Sequence, residues 1–202
     1  MKGILDLFKK SGLILGGYRL FFRSFRHLLN YFTTLIWKIN GVKVGKNSII
    51  QFGVHIEYPK LLKIGSNCLL CKGTRITSEN GEYSIILEDN VQVNSNVLLD
   101  HTGKLYIKSG TLISESAMIY THSHGYDPRS KPNVSHLNIG KQVWIGVNSI
   151  VMPKIEIIND CSIIGAGAIV TKSVLKGEIV IGNSAKSLKV NPLLEVEKNY
   201  EK

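Results

Sequence analysis

Cysteine is scarce in this chain, which has three in 202 residues. Cys68 and Cys71 form a C-x-x-C pair, but no second pair and no suitably spaced histidine follows them. A structural zinc site needs four ligands, and a disulfide framework needs several paired cysteines, so we expect neither. Cys68 and Cys161 are instead predicted to be small apolar residues of the core.

Long uncharged apolar runs are also missing. The run at 28–37 has about half of the roughly 20 residues that a membrane-spanning helix needs. No apolar segment followed by a small-residue cleavage site occurs near the start, which argues against a secretory signal. These two absences favour a cytoplasmic protein.

Acidic residues are rare at the N-terminal end. Up to Lys46 the only acidic residue is Asp6, against nine lysines and arginines, in a chain whose formal net charge is +10. Such a segment can attach to an anionic membrane surface or to an acidic ligand, and a solvated helix face fits the same charges. We expect no nucleic acid partner.

An aliphatic residue returns at every sixth position of the sequence, most clearly at Ile139, Ile145, Val151, Ile157, Ile163 and Ile169. Two positions before each lies a small or β-branched residue, as at Val143, Ser149 and Cys161. Six residues fit one short strand and one corner, with both of these residues pointing inward. Three such units close a triangular coil of about 18 residues, and the coils must stack to bury their faces.

The repeats begin near Val44 and are interrupted four times, at 57–63, 78–86, 100–106 and 125–138. The fourth position of a unit is often Asn or Gly, residues that tolerate the left-handed backbone of a tight corner. Insertions in a solenoid leave from one edge and commonly build the binding surface. We expect a helical segment at 1–42, a repeat domain at 43–190 with an inserted loop at 125–138, and a C-terminal tail at 191–202.

Three motifs carry a resemblance to a known family: VWIG at 143–146, DCSIIGAGAIVTK at 160–172 and GNSAK at 182–186. With the repeats, they resemble the hexapeptide-repeat acyltransferases, most of all maltose, galactoside and surface-polysaccharide sugar O-acetyltransferases. The resemblance implies an all-β solenoid, the left-handed parallel β-helix. It also implies a homotrimer that transfers acetyl groups from acetyl-CoA to a sugar hydroxyl in capsule, O-antigen or exopolysaccharide synthesis, without a metal.

Chemistry is most visible around His124, because histidine exchanges a proton near neutral pH, as activation of a hydroxyl requires. In the six-residue register His124 is the last position of its unit and should point outward, and His122 lies at the corner. The segment 121–128 resembles the family motif T-x-x-H-x-x-D-P, which implies that His124 is the catalytic base. For the acceptor, the resemblance implies a contact from Asp100, and we expect His122 and Tyr126 to bind the acceptor as well.

Six residues match family positions that bind the acyl donor. The resemblance implies backbone contacts to the pantetheine arm and basic residues near its phosphates. The matching positions in this sequence are Val147, Ala166, Thr171, Lys172, Lys186 and Lys189, and we expect Trp144 to line the same groove.

Other functions remain open. An amino sugar as acceptor would give N-acetylation, and a non-catalytic hexapeptide-repeat scaffold would not need His124. A metal-dependent β-helix enzyme would need three converging histidines, for which His101, His122 and His124 are the candidates, although their spacing fits poorly.

The N-terminal segment is predicted to be an amphipathic helix, because Phe21, Phe25, Leu28, Phe32, Leu35 and Ile36 recur at spacings of three and four before Gly41. Its apolar stripe can cap the exposed edge of the first coil. It can also hold the protein peripherally at a membrane. We expect capping together with partial membrane attachment.

Overall fold

The computed structural model describes residues 2–183 and shows one helix followed by a left-handed parallel β-helix of about 7 turns. Helix α1 spans Lys2–Ile39, and its backbone is interrupted at Gly12, where φ is 72° and ψ is 170°. A short 3₁₀ helix lies at Pro59–Leu61. The predicted fold class is confirmed.

Short strands, numbered in chain order, form three parallel sheets that are the faces of a triangular prism. Sheet A contains β1 (Lys43–Val44), β4 (Leu62–Ile64), β7 (Ile85–Leu87), β10 (Leu105–Ile107), β15 (Leu137–Ile139) and β18 (Ile157–Ile158). Sheet B contains β2 (Ile49–Ile50), β5 (Leu69–Leu70), β8 (Gln92–Val93), β11 (Leu112–Ile113), β16 (Trp144–Ile145), β19 (Ile163–Ile164) and β21 (Ile179–Val180). Sheet C contains β3 (His55–Ile56), β6 (Arg75–Thr77), β9 (Leu98–Asp100), β12 (Met118–Ile119), β17 (Ile150–Val151) and β20 (Ile169–Val170). A separate antiparallel pair is formed by β13 (His122–Ser123) and β14 (Asn133–Val134).

Inward aliphatic side chains stack from coil to coil along each sheet. Ile107, for example, pairs with Leu87 on one side and with Ile139 on the other, and all three are buried. Burying one such side chain contributes about 1.5–3 kcal/mol, so the stacked ladders hold the coils together.

The corners use the left-handed backbone, as predicted. Asn47, Asn67, Asn90, Asn96 and Asn148 all have φ between 54° and 60°. The short Asn side chain tolerates this region with little steric cost. These five asparagines of the repeats are therefore accounted for by the corners.

The repeat register shifts by one residue after Ile155. Up to Val151 the buried aliphatics follow the predicted series, but the next ones are Ile158, Ile164 and Val170. The prediction of Ile157, Ile163 and Ile169 as inward residues is therefore wrong. The left-handed corners at Lys154 and Cys161 are seven positions apart rather than six, so this unit holds one extra residue.

The shift also changes the position of Cys161. It lies exposed at a corner, and Ser162 occupies the inward position, so the prediction of Cys161 as a core residue is wrong. Cys68 is buried, as predicted, and burial raises the pKa of the Cys68 and Cys71 thiols. All three cysteines are free thiols.

Helix α1 covers the exposed edge of sheet B with polar side chains. Thr34 Oγ1 accepts a hydrogen bond from the backbone N of Ile50 at 3.0 Å, and Asn30 Oδ1 accepts one from the N of Phe52 at 3.2 Å. Trp37 packs against the core beside them. These hydrogen bonds pair edge backbone groups that would otherwise lack partners. Helix α1 therefore caps the first coil, as expected.

The apolar stripe of α1 does not take part in this cap. Phe21, Phe25, Leu28 and Phe32 are each at least half exposed. The expectation that this stripe covers the first coil is therefore wrong, and Trp37, which packs against the core, lies outside the stripe. Among residues 2–183, no helical segment has both the length and the apolar content that a membrane span requires.

Candidate active site

Four insertions leave the β-helix at the same corner, between a strand of sheet C and the following strand of sheet A. They follow β3, β6, β9 and β12. The predicted interruptions therefore lie along one edge of the prism, which we call the insertion corner. Because successive coils are stacked, side chains distant in sequence meet there.

The last insertion is a hairpin that begins earlier than expected. His122 and Ser123 pair antiparallel with Val134 and Asn133, so the chain has left the prism at His122 rather than at Gly125. The six-residue register therefore does not extend to the histidines, and the positions assigned to His122 and His124 from it are wrong. Both side chains lie on the inserted hairpin.

The base of this hairpin is fastened to the neighbouring coil through Thr121. Thr121 Oγ1 accepts a hydrogen bond from the N of Gly103 at 2.9 Å, and the Thr121 carbonyl accepts one from the N of Ser135 at 2.7 Å. A Cβ atom on Gly103 would lie 1.8 Å from the carbonyl oxygen of Ser135. Only glycine therefore fits between the coil and the returning strand.

Asp100 lies beneath the hairpin and is only 2% exposed. Its carboxylate accepts hydrogen bonds from Thr102 Oγ1 at 2.6 Å, from the N of Thr121 at 2.6 Å and from Nδ1 of His122 at 2.8 Å. Burial raises the pKa of this carboxyl, but the hydrogen bonds outweigh burial and the net direction is downward. Asp100 is therefore an ionised group that orients His122, and its buried oxygens are not open to an acceptor.

Glu79 meets both histidines of the hairpin. Its Oε1 lies 3.1 Å from Nε2 of His122 and 3.1 Å from Nε2 of His124. Glu79 comes from the insertion after β6, and Asp100 ends β9, so three successive coils supply this cluster. The two imidazole rings are 5.3 Å apart and meet edge to face.

The ring of His124 is fixed by the hairpin itself. Its Nδ1 lies 2.7 Å from the carbonyl oxygen of Ser130, which can only accept, so Nδ1 carries the proton. The hydrogen bond to Ser130, and then the contact with Glu79, raise the pKa of His124 above its ordinary value. This leaves Nε2 as the nitrogen that can accept a proton, on a side chain 25% exposed.

A cavity of about 490 Å³ lies at a different corner, between sheets B and C. Its lining includes Trp144, Val147 and Ala166, three of the residues expected to contact the acyl donor. Nε1 of Trp144 donates a hydrogen bond to Ser114 Oγ at 2.9 Å. The indole plane is thus held against this cavity.

The other expected binding residues lie elsewhere. Thr171 and Lys172 are exposed and follow β20, which places them on the insertion-corner side of the prism. Tyr126 is 63% exposed in the hairpin loop. Lys186 and Lys189 lie outside the described residues.

Within one chain, His101 does not join His122 and His124. His101 is buried, with its Nδ1 2.8 Å from the carbonyl oxygen of Tyr83. In the described part of the chain, the ligand atoms that converge are those of Glu79, His122 and His124, all within 4.8 Å of one another.

Comparisons with known proteins agree with this architecture, although no protein-family model matches the chain. The chain is 32% identical over 154 residues to WbbJ of Escherichia coli (strain K12), assigned as an O-acetyl transferase of lipopolysaccharide biosynthesis; the match covers 70% of this chain and 78% of WbbJ. It is 26% identical over 149 residues to WcaF of the same strain, assigned as an acetyltransferase of colanic acid biosynthesis, with 73% and 69% covered. The crystal structure of AntD, an N-acyltransferase from Bacillus cereus in complex with dTDP and 3-hydroxybutyryl-CoA, has a TM-score of 0.61, covers 83% of this chain and 94% of AntD at 20% identity, and shows the shared fold.

The chain belongs to the hexapeptide-repeat acyltransferases. An acyltransferase of this kind needs a proton acceptor beside the attacking hydroxyl or amine of the acceptor, and a groove that holds the thioester of the donor. This hexapeptide-repeat acyltransferase has a histidine pair at the insertion corner and a cavity at the corner between sheets B and C.

Glu79 was missed by sequence reasoning, and the roles of Thr121 and Ser130 were missed with it. A signal for Glu79 was present, because it lies in an insertion that shares its corner with the one after β9. The carbonyl of Ser130 carries no signal in the sequence, since any residue there offers the same oxygen.

Proposed function

We propose that this hexapeptide-repeat acyltransferase is an acetyl-CoA-dependent O-acetyltransferase that acts on a sugar hydroxyl in surface polysaccharide biosynthesis. The observation that carries the catalytic part is the hydrogen bond from Nδ1 of His124 to the Ser130 carbonyl, because it leaves Nε2 as the proton-accepting nitrogen. The names of WbbJ and WcaF supply the acceptor class.

In the proposed reaction, Nε2 of His124 removes the proton from the acceptor hydroxyl as its oxygen attacks the thioester carbonyl carbon of acetyl-CoA. The tetrahedral intermediate then expels the CoA thiolate, which takes the proton from His124 as free thiol. The acetyl group ends as an ester of the sugar, and no covalent enzyme intermediate forms. General base catalysis of this type contributes about 100- to 10,000-fold.

The other polar residues of the insertion corner act through the histidines. Asp100 fixes the ring of His122, which lies against the ring of His124. Glu79 lies where the acceptor hydroxyl must approach Nε2 of His124. The hydroxyl therefore replaces the contact between Glu79 Oε1 and Nε2 of His124. We assign Glu79 and Asp100 as positioning residues.

The acyl donor is proposed to lie along the cavity lined by Trp144, Val147 and Ala166. Thr171 and Lys172 follow β20 on the insertion-corner side, so they are proposed to reach the donor bound at the cavity of a neighbouring protomer. Lys186 and Lys189 are proposed to pair with its phosphates. A lysine supplies charge to a phosphate without the bidentate geometry of arginine.

A homotrimer is proposed because the two halves of the site lie on different corners of one chain. In a cyclic trimer, the donor cavity of one protomer can face His124 of the next, and the same interface recurs three times. Mixing the inactive variants His124→Ala and Ala166→Trp should then restore transfer through mixed assemblies. A monomer in light scattering, with mixtures as inactive as either variant, would contradict this arrangement.

The exposed stripe of α1 is proposed to hold the enzyme at the cytoplasmic face of an anionic membrane. Ile14 is 90% exposed and Phe21 65% exposed, and Arg23 and Arg26 lie exposed along the same helix. Apolar and basic side chains together suit an interfacial helix on acidic lipid. Binding should require anionic vesicles and weaken with salt. Equal, negligible binding to neutral and anionic vesicles would contradict it.

The function is tested by release of free CoA thiol from acetyl-CoA in the presence of sugars, amino sugars and lipid-linked glycans. We expect release with a hydroxyl acceptor and a loss of about 100- to 10,000-fold in His124→Ala. The variant His136→Ala, altered at an exposed histidine outside the Glu79 cluster, is the control. Faster release with amino sugars would redirect the proposal to N-acetylation, and full turnover by His124→Ala would exclude it as the base.

A further inference from the structure

Three electron-rich atoms converge at the insertion corner. The carboxylate oxygen Oε1 of Glu79 lies 3.1 Å from Nε2 of His122 and 3.1 Å from Nε2 of His124. All three atoms lie within 4.8 Å of one another. They come from two separate insertions, so the stacking of the coils, and not local sequence, brings them together.

The Nδ1 atoms of both imidazole rings already make hydrogen bonds. Nδ1 of His122 donates to the Asp100 carboxylate at 2.8 Å, and Nδ1 of His124 donates to the Ser130 carbonyl at 2.7 Å. Metal-binding histidines have this arrangement, with one ring nitrogen on the metal and the other donating to a carboxylate or a backbone carbonyl. Here the pattern occurs twice around one point.

The two Nε2 atoms then present lone pairs to a carboxylate oxygen. Two lone pairs and a carboxylate oxygen repel one another at this distance unless protons or a cation lie between them. A single divalent ion can satisfy all three ligands at once, whereas protons must be placed on each imidazole separately.

We propose that Glu79, His122 and His124 form a binding site for a divalent zinc-class ion, and that this ion switches off the acyl transfer by occupying Nε2 of His124. The inhibitory part rests on the proposed function, in which that nitrogen is the base. A nitrogen whose lone pair is bound to a metal cannot accept the proton of the acceptor.

The donor set selects the class of ion. Two imidazoles and one carboxylate suit Zn²⁺, whereas Mg²⁺ and Ca²⁺ prefer oxygen ligands. With bonds of about 2.0–2.2 Å, tetrahedral ligand atoms lie about 3.3 Å apart, close to the two distances of 3.1 Å. The Glu79 side chain is 44% exposed, so solvent can reach the fourth position.

Binding is tested on the untagged full-length protein with Co²⁺ as the spectroscopic probe and Zn²⁺ as its competitor. We expect one Co²⁺ per chain with the visible absorption of a tetrahedral site, displaced by Zn²⁺. Glu79→Gln and His122→Asn should each weaken binding at least 10-fold, as loss of a ligand requires. The matched control Glu82→Gln changes an exposed carboxylate on the same insertion and should bind like the wild type. Binding of equal strength in Glu79→Gln, His122→Asn and the wild type would overturn the site.

Inhibition is measured separately from binding. The wild type should transfer acetyl groups in EDTA, lose transfer as Zn²⁺ fills the site, and recover when EDTA is added again. Transfer by the Zn²⁺-loaded enzyme at the metal-free rate, or stimulation by Zn²⁺, would overturn the inhibitory part. A chain that binds Co²⁺ with the expected variant pattern but never transfers acetyl groups would sink the proposed function and leave the metal site standing. Transfer in EDTA without specific Co²⁺ binding would do the reverse.

Discussion

Asp100 and His122 are 22 positions apart in sequence and are joined by a hydrogen bond of 2.8 Å between Oδ2 and Nδ1. The carboxylate is buried and also holds Thr102 and Thr121. One side chain therefore connects the end of β9, the insertion that follows it and the start of the hairpin.

Replacing Asp100 with Asn should lower acetyl transfer about 10- to 100-fold, the usual effect of losing an orienting partner of a functional histidine. The amide cannot accept from Nδ1 of His122 and from Thr121 at the same time with the strength of a carboxylate. The rate is measured together with the circular dichroism of the variant. Asp160→Asn, which changes a carboxylate that accepts from the N of Lys141 at a different corner, is the control. Equal rates in both variants would contradict the assigned role of Asp100.

The pH dependence of transfer should reveal the raised pKa of His124. The base works only when Nε2 is deprotonated, so kcat/KM should rise with pH and level off above a pKa higher than the ordinary 6.5. The Ser130 hydrogen bond and then Glu79 stabilise the protonated ring, so Glu79→Gln should move the inflection to lower pH. Profiles are recorded in EDTA, with Glu82→Gln as control. An inflection that stays in place or moves upward in Glu79→Gln would contradict this assignment.

Gly103→Ala should displace the hairpin without unfolding the β-helix. The added methyl group would lie 1.8 Å from the Ser135 carbonyl oxygen, a backbone atom that cannot rotate away. We expect a transfer rate at least 10-fold lower, since a 1 Å misplacement costs about 100-fold, while the far-ultraviolet circular dichroism stays unchanged. Gly110→Ala is the matched control, because its Cβ would meet a flexible side-chain carbon of Gln142 at 3.4 Å and the backbone N of Gln142 at 3.9 Å, without a clash. An alanine at position 110 is strained by the positive φ of 75°, so both variants are expected to lose stability. A loss of transfer in Gly103→Ala that Gly110→Ala does not show is therefore caused by displacement of the hairpin.

Much of the fold could be predicted because the pattern repeats. Each inward residue, such as Ile107, occupies the same environment as its neighbours in adjacent coils, so the aliphatic period carries the same information many times. The corner asparagines add a second, independent signal through their backbone preference.

The register shift after Ile155 could not be predicted, since Ile157 and Ile158 are both isoleucine and either satisfies the pattern. The choice is made by the corners at Lys154 and Cys161, where the left-handed backbone falls on residue types that do not signal it. Cys161 was misplaced for this reason.

The candidate site also has a part that the sequence predicts and a part that it does not. His124 was identified through a local motif, whereas Glu79 depends on contacts 43 and 45 positions away in sequence. Such contacts form because the insertions leave the β-helix at the same corner, which the local sequence of each insertion does not specify. The polar cap of α1 was missed because an amphipathic pattern shows which face is apolar and not which face meets the protein.

Thr34→Val should destabilise the protein, and Thr33→Val should not. Thr34 Oγ1 pairs with the N of Ile50 at 3.0 Å and with its carbonyl oxygen at 3.3 Å, on the edge of sheet B, and the side chain is buried. Valine has nearly the same shape but leaves both backbone groups without this partner, which costs about 1–3 kcal/mol in the free energy of unfolding. Thr33 Oγ1 bonds only within α1, to the carbonyl of Leu29 at 2.9 Å, so its loss should cost less than about 0.5 kcal/mol. Denaturant unfolding of the two variants measures the difference. Equal stabilities would mean that the polar face of α1 does not secure the edge of the β-helix.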